Sequence, residues 1–557
     1  MKERPTVPRT YPSMKTAQSR NLDLEPPPAR PGISELLQEQ LFQTENVCVD
    51  KENQEDLLVC FYTSLDADVG KSDFLPKQCY TMASMRSEDK KRGNGAVTVL
   101  GSKIAFIFTT VWVATPTKVT PTHFQLDDMN GDQLSAGDKL CFTFVARCTC
   151  TQAPDITIYI EGNIAGDHVK FGLPMASSTT LLTWSLVQFK KGYENAGQLD
   201  AMYDSIRWPL DYFLSAWDEG ASSLLVQVGD GNADHAYWGR AEEMTMSRPC
   251  QYVSTSNKGS DVAAETAAAM AVGALAFQDK GEQAYSAQLL QSAESLYSFA
   301  KNNRGVFGGA APFYSSSGDE DELCVAAMFL YKATGSADYL ADAQTFVNPG
   351  TPWSLSWDNK FIACQILLFE ATGQYKSNVQ SFFRSWSQDG GMTYTPCGLA
   401  WRDNWGSTRY AGNAAFAALV AADVGIDSQA NRKWAVEQIN YILGDNRVNG
   451  KCLSFVVGYG SDYPQQPHHR GASCPDLPAP CGWSDESAST PNPQVLYGAL
   501  VGGPDSSGNY NDDRGDYISN EVATDYNSGF QGALAGIAQL ENGVDFPETS
   551  NMCACGI

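Results

Sequence analysis

The sequence predicts a mainly α protein whose helices close into an α/α barrel or toroid, and two observations carry that prediction. Nine stretches after Ser177 repeat apolar residues three and four apart, one after another without a strict short repeat, which favours a ring of helices over a bundle. Their ends are equally marked: Ala333-Thr-Gly335, Ala371-Thr-Gly373 and Ala422-Asp-Val-Gly425 put glycine where a left-handed C-cap is wanted.

In chain order, residues 1–95 are rich in Pro and charge, with PPPARPG from Pro26 to Gly32, and read as linker-like or low in order apart from an apolar patch, Leu57–Leu65. Residues 96–162 read as a small β-rich fragment. VTVLGS, IAFIFTTVWV, KLCFTFVA and DITIYIEG are β-branched or aromatic runs between turn residues. Residues 163–557 form the helical domain, with predicted helices over Thr179–Tyr193, Ala201–Trp217, Asp261–Phe277, Tyr285–Lys301, Asp321–Gly335, Phe361–Gly373, Arg409–Gly425, Ala430–Asp445 and Phe530–Gly543. The alanines of Asp261–Phe277 permit the close helix approach an inner ring needs.

The 557 residues, 43% hydrophobic and 11% aromatic, describe a globular chain. A net charge of −25 disfavours nucleic acid and anionic membrane as partners, so neither is expected, whereas a neutral polysaccharide suits it. Fifteen cysteines, several close together as in Cys474–Cys481 and Cys553–Cys555, lack the paired spacing of a zinc site and read as disulfides of a secreted protein. The first fifteen residues hold no apolar h-region, so no signal peptide is recognisable there, and Ile104–Ala114 is too short to span a bilayer.

Polar chemistry concentrates in loops. Of five histidines, four lie in such motifs: His168 in AGDHVKF, His235 in GDGNADHAYWGR, and His468 with His469 in PQQPHHRG. Adjacent histidines do not ligate one ion together easily, and no HxxxH spacing occurs, so no metal or cofactor is expected; a structural calcium is compatible with the Asp-rich loop. Arg470 offers a planar donor fork for sugar hydroxyls or a carboxylate. Tyr237, Trp238, Trp357, Trp401, Trp405, Tyr510 and Tyr517 accompany these loops, and pyranose CH faces stack on such rings. Asp512, Asp513, Asp516, Glu521 and Asp525 crowd one segment, where a raised pKa would keep one carboxyl protonated near neutrality. Glu521 and Asp525, four apart, are expected on one face of the helix starting there. Carboxylates beside a His/Arg loop suggest glycosidic-bond hydrolysis by acid and base.

AGDHVKFGLPMA, VQVGDGNADHAYWGRAEEMTMSRP, WGSTRYAGNAAF, PQQPHHRGASCPDLPAPCGW and YNDDRGDYISNEVATDYNSGF together resemble glycoside hydrolase family 9, the inverting endo-β-1,4-glucanases, over about two thirds of the chain. The resemblance implies an (α/α)6 barrel, here without its first helix, and a secreted, monomeric cellulase acting on β-glucan. It implies Glu521 as general acid and Asp167 as the base that activates water; Asp512, from the crowded acidic loop, joins them as a catalytic candidate. It implies His468, Arg470, His235, Tyr237 and Trp238 as substrate-binding residues, and Trp357 joins them as one of the loop aromatics suited to sugar stacking. Two departures are notable. Ile164 stands where the family's motif has its first aspartate, which motivates an alternative reading as a catalytically impaired glucan-binding protein. Cys324 stands where relatives usually have Trp. Before the domain, DQLSAGDKLCFTFVARCTCTQAPDITIYIEG resembles the closing strands of a family 2 carbohydrate-binding module, though that region has a single tryptophan, Trp112.

Overall fold

The computed structural model describes residues 166–541, 546–550, 552, 553 and 555, and the backbone of seven short strands between Glu45 and Phe142. These strands pair antiparallel. Gln78–Met82, Leu57–Thr63, Glu45–Asp50 and Lys139–Phe142 make one sheet, and Gly95–Thr98, His123–Asp128 and Ala114–Thr120 make another. Three of the seven fall in the stretch read as linker-like, where the β-formers of LLVCFYT prevail over the surrounding charge. The rest of the module-like segment over 96–162, and Ile164, lie outside the described residues.

Eleven helices of ten residues or more follow. They are α1 (Gly172–Gln188), α2 (Leu199–Ala216), α3 (Ser260–Lys280), α4 (Gln283–Asn302), α5 (Glu320–Thr334), α6 (Ala337–Phe346), α7 (Phe361–Thr372), α8 (Lys376–Ser385), α9 (Ser407–Asp423), α10 (Ser428–Leu443) and α11 (Thr524–Glu541). The odd-numbered six are buried nearly all round and touch in sequence, with α11 closing back on α1. The even-numbered helices bury one face against this ring and wet the other. This is the (α/α)6 plan, with five outer helices among the described residues.

Small side chains let the inner ring close. Alanines 263, 264, 267, 268, 269 and 271 of α3 are fully buried, and Gly529 of α11 meets α9 so tightly that a Cβ would lie 2.1 Å from the Asn413 side-chain oxygen. Trp184 fills the interior, edge-on to Phe329 at 5.9 Å and Phe416 at 5.2 Å. Helix α3 is long and apolar enough to cross a bilayer, but its residues form this core. The predicted glycine stops are left-handed: φ is +72° at Gly335, +73° at Gly373 and +91° at Gly425. Helices α6 and α8, ADYLADAQTF and KSNVQSFFRS, lacked a long apolar period and were not predicted.

Disulfides complete the framework. Cys324–Cys364 joins α5 to α7, which gives the cysteine at the unusual position 324 a partner. Cys397–Cys553 and Cys452–Cys555 fasten the C-terminal tail, and Cys474–Cys481 closes the CPDLPAPC loop. Closing separations of 156 and 103 residues removes more chain entropy from the unfolded state than closing 7 does.

Candidate active site

Five of the six inner helices are each followed by an outer helix that returns the chain, so the inner helices run parallel and their N-termini share one end of the ring. Asp167, Trp357, Trp405 and Glu521 precede α1, α7, α9 and α11 by a few residues, and therefore gather there.

Asp167 sits in a turn that Gly166 makes at φ +73°, with the His469 ring packed so close that a Cβ on Gly166 would lie 2.9 Å from it. The chain then enters the short strand Lys170–Phe171, paired with Ser223–Val228, and turns into α1. Asp167 is buried, and its Oδ1 lies 3.0 Å from Arg470 Nη2 in an ion pair and 3.7 Å from His235 Nε2. The other Arg470 nitrogen, Nη1, is paired with buried Asp234, whose Oδ1 accepts from the His168 N–H at 3.1 Å. Arg470 thus bridges two aspartates. Burial pushes the Asp167 carboxyl up to about 7, Arg470 pulls it down and Asp234 adds to the rise. Asp167, Asp234 and His235 lie near enough to hold a cation together. The guanidinium already supplies the positive charge between the two aspartates.

Glu521 is held differently. It ends the short helix Tyr517–Asn520 in extended backbone, with its neighbours tied on both sides. The His468 N–H donates to Asn520 O at 2.8 Å, and Gly502 N–H donates to Glu521 O at 2.9 Å. Its Oε2 accepts from Trp405 Nε1 at 3.0 Å and from the Tyr526 hydroxyl at 2.9 Å, while no described donor reaches Oε1. Burial pushes Glu521 up to about 7; the two donors lower it, and the charge of Asp167 raises it. Behind it, Arg409 pairs with Asp525 at 3.0 Å and stacks on the Tyr526 ring at 4.8 Å. Tyr314 is raised far above its ordinary range by burial and then by the charges of Asp525, Glu521 and Asp167.

The charge of Asp167 is one of the causes that raise Glu521. The cation lies on Asp167 and only neutral donors lie on Glu521 Oε2, so the surroundings favour a charge on Asp167 and leave Oε1 of Glu521 open to a proton.

The other expected residues divide. His468 donates from Nδ1 to Arg514 O at 2.7 Å, and burial lowers it to about 4, so it is a neutral imidazole. Its ring lies 5.1 Å from Trp238 and 6.0 Å from Tyr517. Trp238 is buried, with its N–H on Ser473 Oγ at 2.9 Å. Tyr237 donates to Arg240 O at 2.7 Å, and His235 stacks on Phe313 at 4.2 Å. Trp357 is partly exposed and edge-on to Tyr314 at 5.0 Å.

The acidic loop corrects two expectations. Asp512, grouped with the catalytic carboxylates, accepts the Gln465 and Gln466 N–H groups at 2.7 and 2.9 Å and so fastens the His/Arg loop. Glu521 and Asp525 do not share a helix face, because α11 begins only at Thr524 and Asp525 turns to Arg409. Asp234 and Tyr526 were missed. Each is a single residue beside a recognised one, in Asp234-His235 and five positions after Glu521.

The Glycosyl hydrolase family 9 profile matches residues 165–534, wholly after the 96–162 segment. Endoglucanase A of Bacillus pumilus is 44% identical over 399 residues, which cover 68% of this chain and 59% of that protein. This chain thus spans well under two thirds of that relative. Among solved structures, the endoglucanase of the termite Nasutitermes takasagoensis is 44% identical with a TM-score of 0.63, covering 68% of this chain and 87% of that one. The cellulase Cel9M of C. cellulolyticum in complex with cellobiose is 36% identical with a TM-score of 0.64, covering 70% and 90%.

Proposed function

This chain belongs to glycosyl hydrolase family 9, and on that footing we propose that it hydrolyses internal β-1,4-glucosidic bonds of cellulose or a related β-glucan with inversion. The reading rests on one observation above all: two buried carboxyls raised to about 7, one under a guanidinium and the other, raised in part by the charge of the first, under neutral donors. In this reading Glu521 gives its Oε1 proton to the departing glycosidic oxygen. A water on the opposite face attacks the anomeric carbon and passes a proton to Asp167, and both groups then reset by exchange with solvent.

His468, His235, Tyr237, Trp238 and Trp357 are proposed to line the sugar path. Arg470 is proposed to act mainly on Asp167 and Asp234, since both its terminal nitrogens are engaged there. Extracellular residence and a monomeric state are proposed with the activity; disulfides such as Cys397–Cys553 support the former, because the cytosol keeps thiols reduced.

Release of reducing ends from carboxymethyl cellulose by the full chain tests the proposal, with Glu521→Gln and Ile164→Asp alongside. Parent activity abolished in Glu521→Gln is the expected result. Activity appearing only in Ile164→Asp would replace it with a glucan-binding protein.

A further inference from the structure

Beneath Trp357 the barrel encloses a charge cluster that the chemistry above does not use. Glu265 of α3, Glu322 of α5 and Lys360, the residue before α7, are all fully buried. Lys360 Nζ lies 2.8 Å from Glu322 and 3.7 Å from Glu265. Three inner helices therefore meet on one ammonium. A buried ion cluster stabilises a fold no better than well-packed apolar side chains of like volume, so stability alone does not account for this one.

Lys360 also reaches outward. Its ammonium donates to the Trp357 carbonyl, and its backbone N–H donates to Asp321 at 2.7 Å. Between them the turn is closed by Ser356 N–H on Asn359 O at 2.9 Å, and Asp358 accepts the Ser317 N–H at 2.6 Å. The Trp357 backbone is thus fixed from inside the barrel, and its ring lies edge-on to Tyr314, 5.0 Å between centroids.

We propose that Lys360, gripped by Glu322 and Glu265, is a positioning residue that sets the placement of Trp357 as a sugar-stacking platform. The inference rests on the glucan reading above. Lysine suits the task because one compact cation can be held by the charge of two carboxylates while it donates to a carbonyl. Methionine has nearly the same length but cannot hold the carbonyl.

The test is a double-variant cycle on the full chain with cellotetraose, comparing Lys360→Met, Trp357→Ala and the pair. Steady-state kinetics and intrinsic tryptophan fluorescence provide the readouts. Trp357→Ala is expected to raise KM about five- to tenfold, the worth of one aromatic contact. Lys360→Met should raise KM by a comparable factor with kcat nearly unchanged, the pattern of lost uniform binding. The pair should be no worse than Trp357→Ala alone, since Lys360 acts through that ring. Losses that multiply in the pair, or an unchanged KM in Lys360→Met, overturn the inference.

Should Lys360→Met lose its cooperative melt, Glu322→Gln loosens the grip without changing volume. It must show the same KM rise in smaller degree, and an unchanged KM overturns the inference. A parent that neither cleaves nor binds cellotetraose overturns the glucan reading and this inference together. An active parent with multiplying losses overturns this inference alone.

Discussion

Asp167 and Glu521 are both pushed up to about 7 by loss of water, yet a guanidinium lies on one while an indole and a phenol lie on the other. A cation favours the charged carboxylate and costs nothing more once that charge is present. Neutral donors on a single oxygen leave the second free to carry a proton. The difference between the two surroundings, more than either pKa, is what supports the proposed roles of Asp167 as base and Glu521 as acid.

The sharpest way to break this comparison is to remove each carboxyl in turn. Asp167→Asn and Glu521→Gln should each lower kcat on cellulose by roughly 10²- to 10⁴-fold, as loss of a general base or acid does. They should part on a dinitrophenyl cellobioside, whose leaving group departs without protonation. Glu521→Gln should recover most of its rate there and Asp167→Asn should not. Recovery in Asp167→Asn instead would exchange the two roles.

Arg470→Lys comes next. A lysine ammonium cannot bridge Asp167 and Asp234 in two directions, so Asp167 loses part of the pull that lowers its pKa. The base is then protonated over a wider acid range, and the acid limb of kcat/KM moves to higher pH by up to about one unit. Tyr526→Phe acts on the other partner with a smaller effect. Glu521 loses one of two donors that lower it, its pKa rises, and the alkaline limb moves up while the acid limb stays. A shift of the same limb in both variants would show that the surroundings do not divide the roles.

The ring was legible because its inner helices carry their alanines and apolar residues in long periodic runs that end at glycine. The site was legible where a short motif held both residue and context, as in His468-His469-Arg470 and Asn520-Glu521. What sequence hid was direction. Arg470 reads equally as a sugar clamp, because the same fork fits hydroxyls and carboxylates, and only the fold brings Asp167 and Asp234 to it. Asp512 reads as a catalytic carboxylate until its two backbone donors are seen. The spacing of Glu521 and Asp525 misled because Val522 bridges to Val501, which keeps the chain extended until Thr524.

The smallest predicted effect concerns stability on the Asp167 side, where His469 packs beneath Gly166. Burial lowers His168 and His468 to about 4 and His469 to about 3, so all three are neutral when folded. In the unfolded chain they take up protons near 6.5, so the stability they contribute is complete above that pH and drains away as pH falls towards 4 and 3. Asp167 and Glu521 have the opposite sign. With folded values near 7, their contribution is complete below the unfolded carboxylate range near 4 and is lost as pH rises through 7. Above 6.5 only the carboxylate loss continues, so thermal stability should peak on the mildly acidic side of neutrality. His469→Asn keeps an acceptor for the Ala472 N–H but cannot titrate. Its melting temperature should therefore fall less steeply than the parent's between pH 6.5 and 4, while the decline above 6.5 stays the same. An unchanged acid slope would mean that His469 is protonated in the folded protein, and that a positive charge sits beside Asp167 in addition to Arg470.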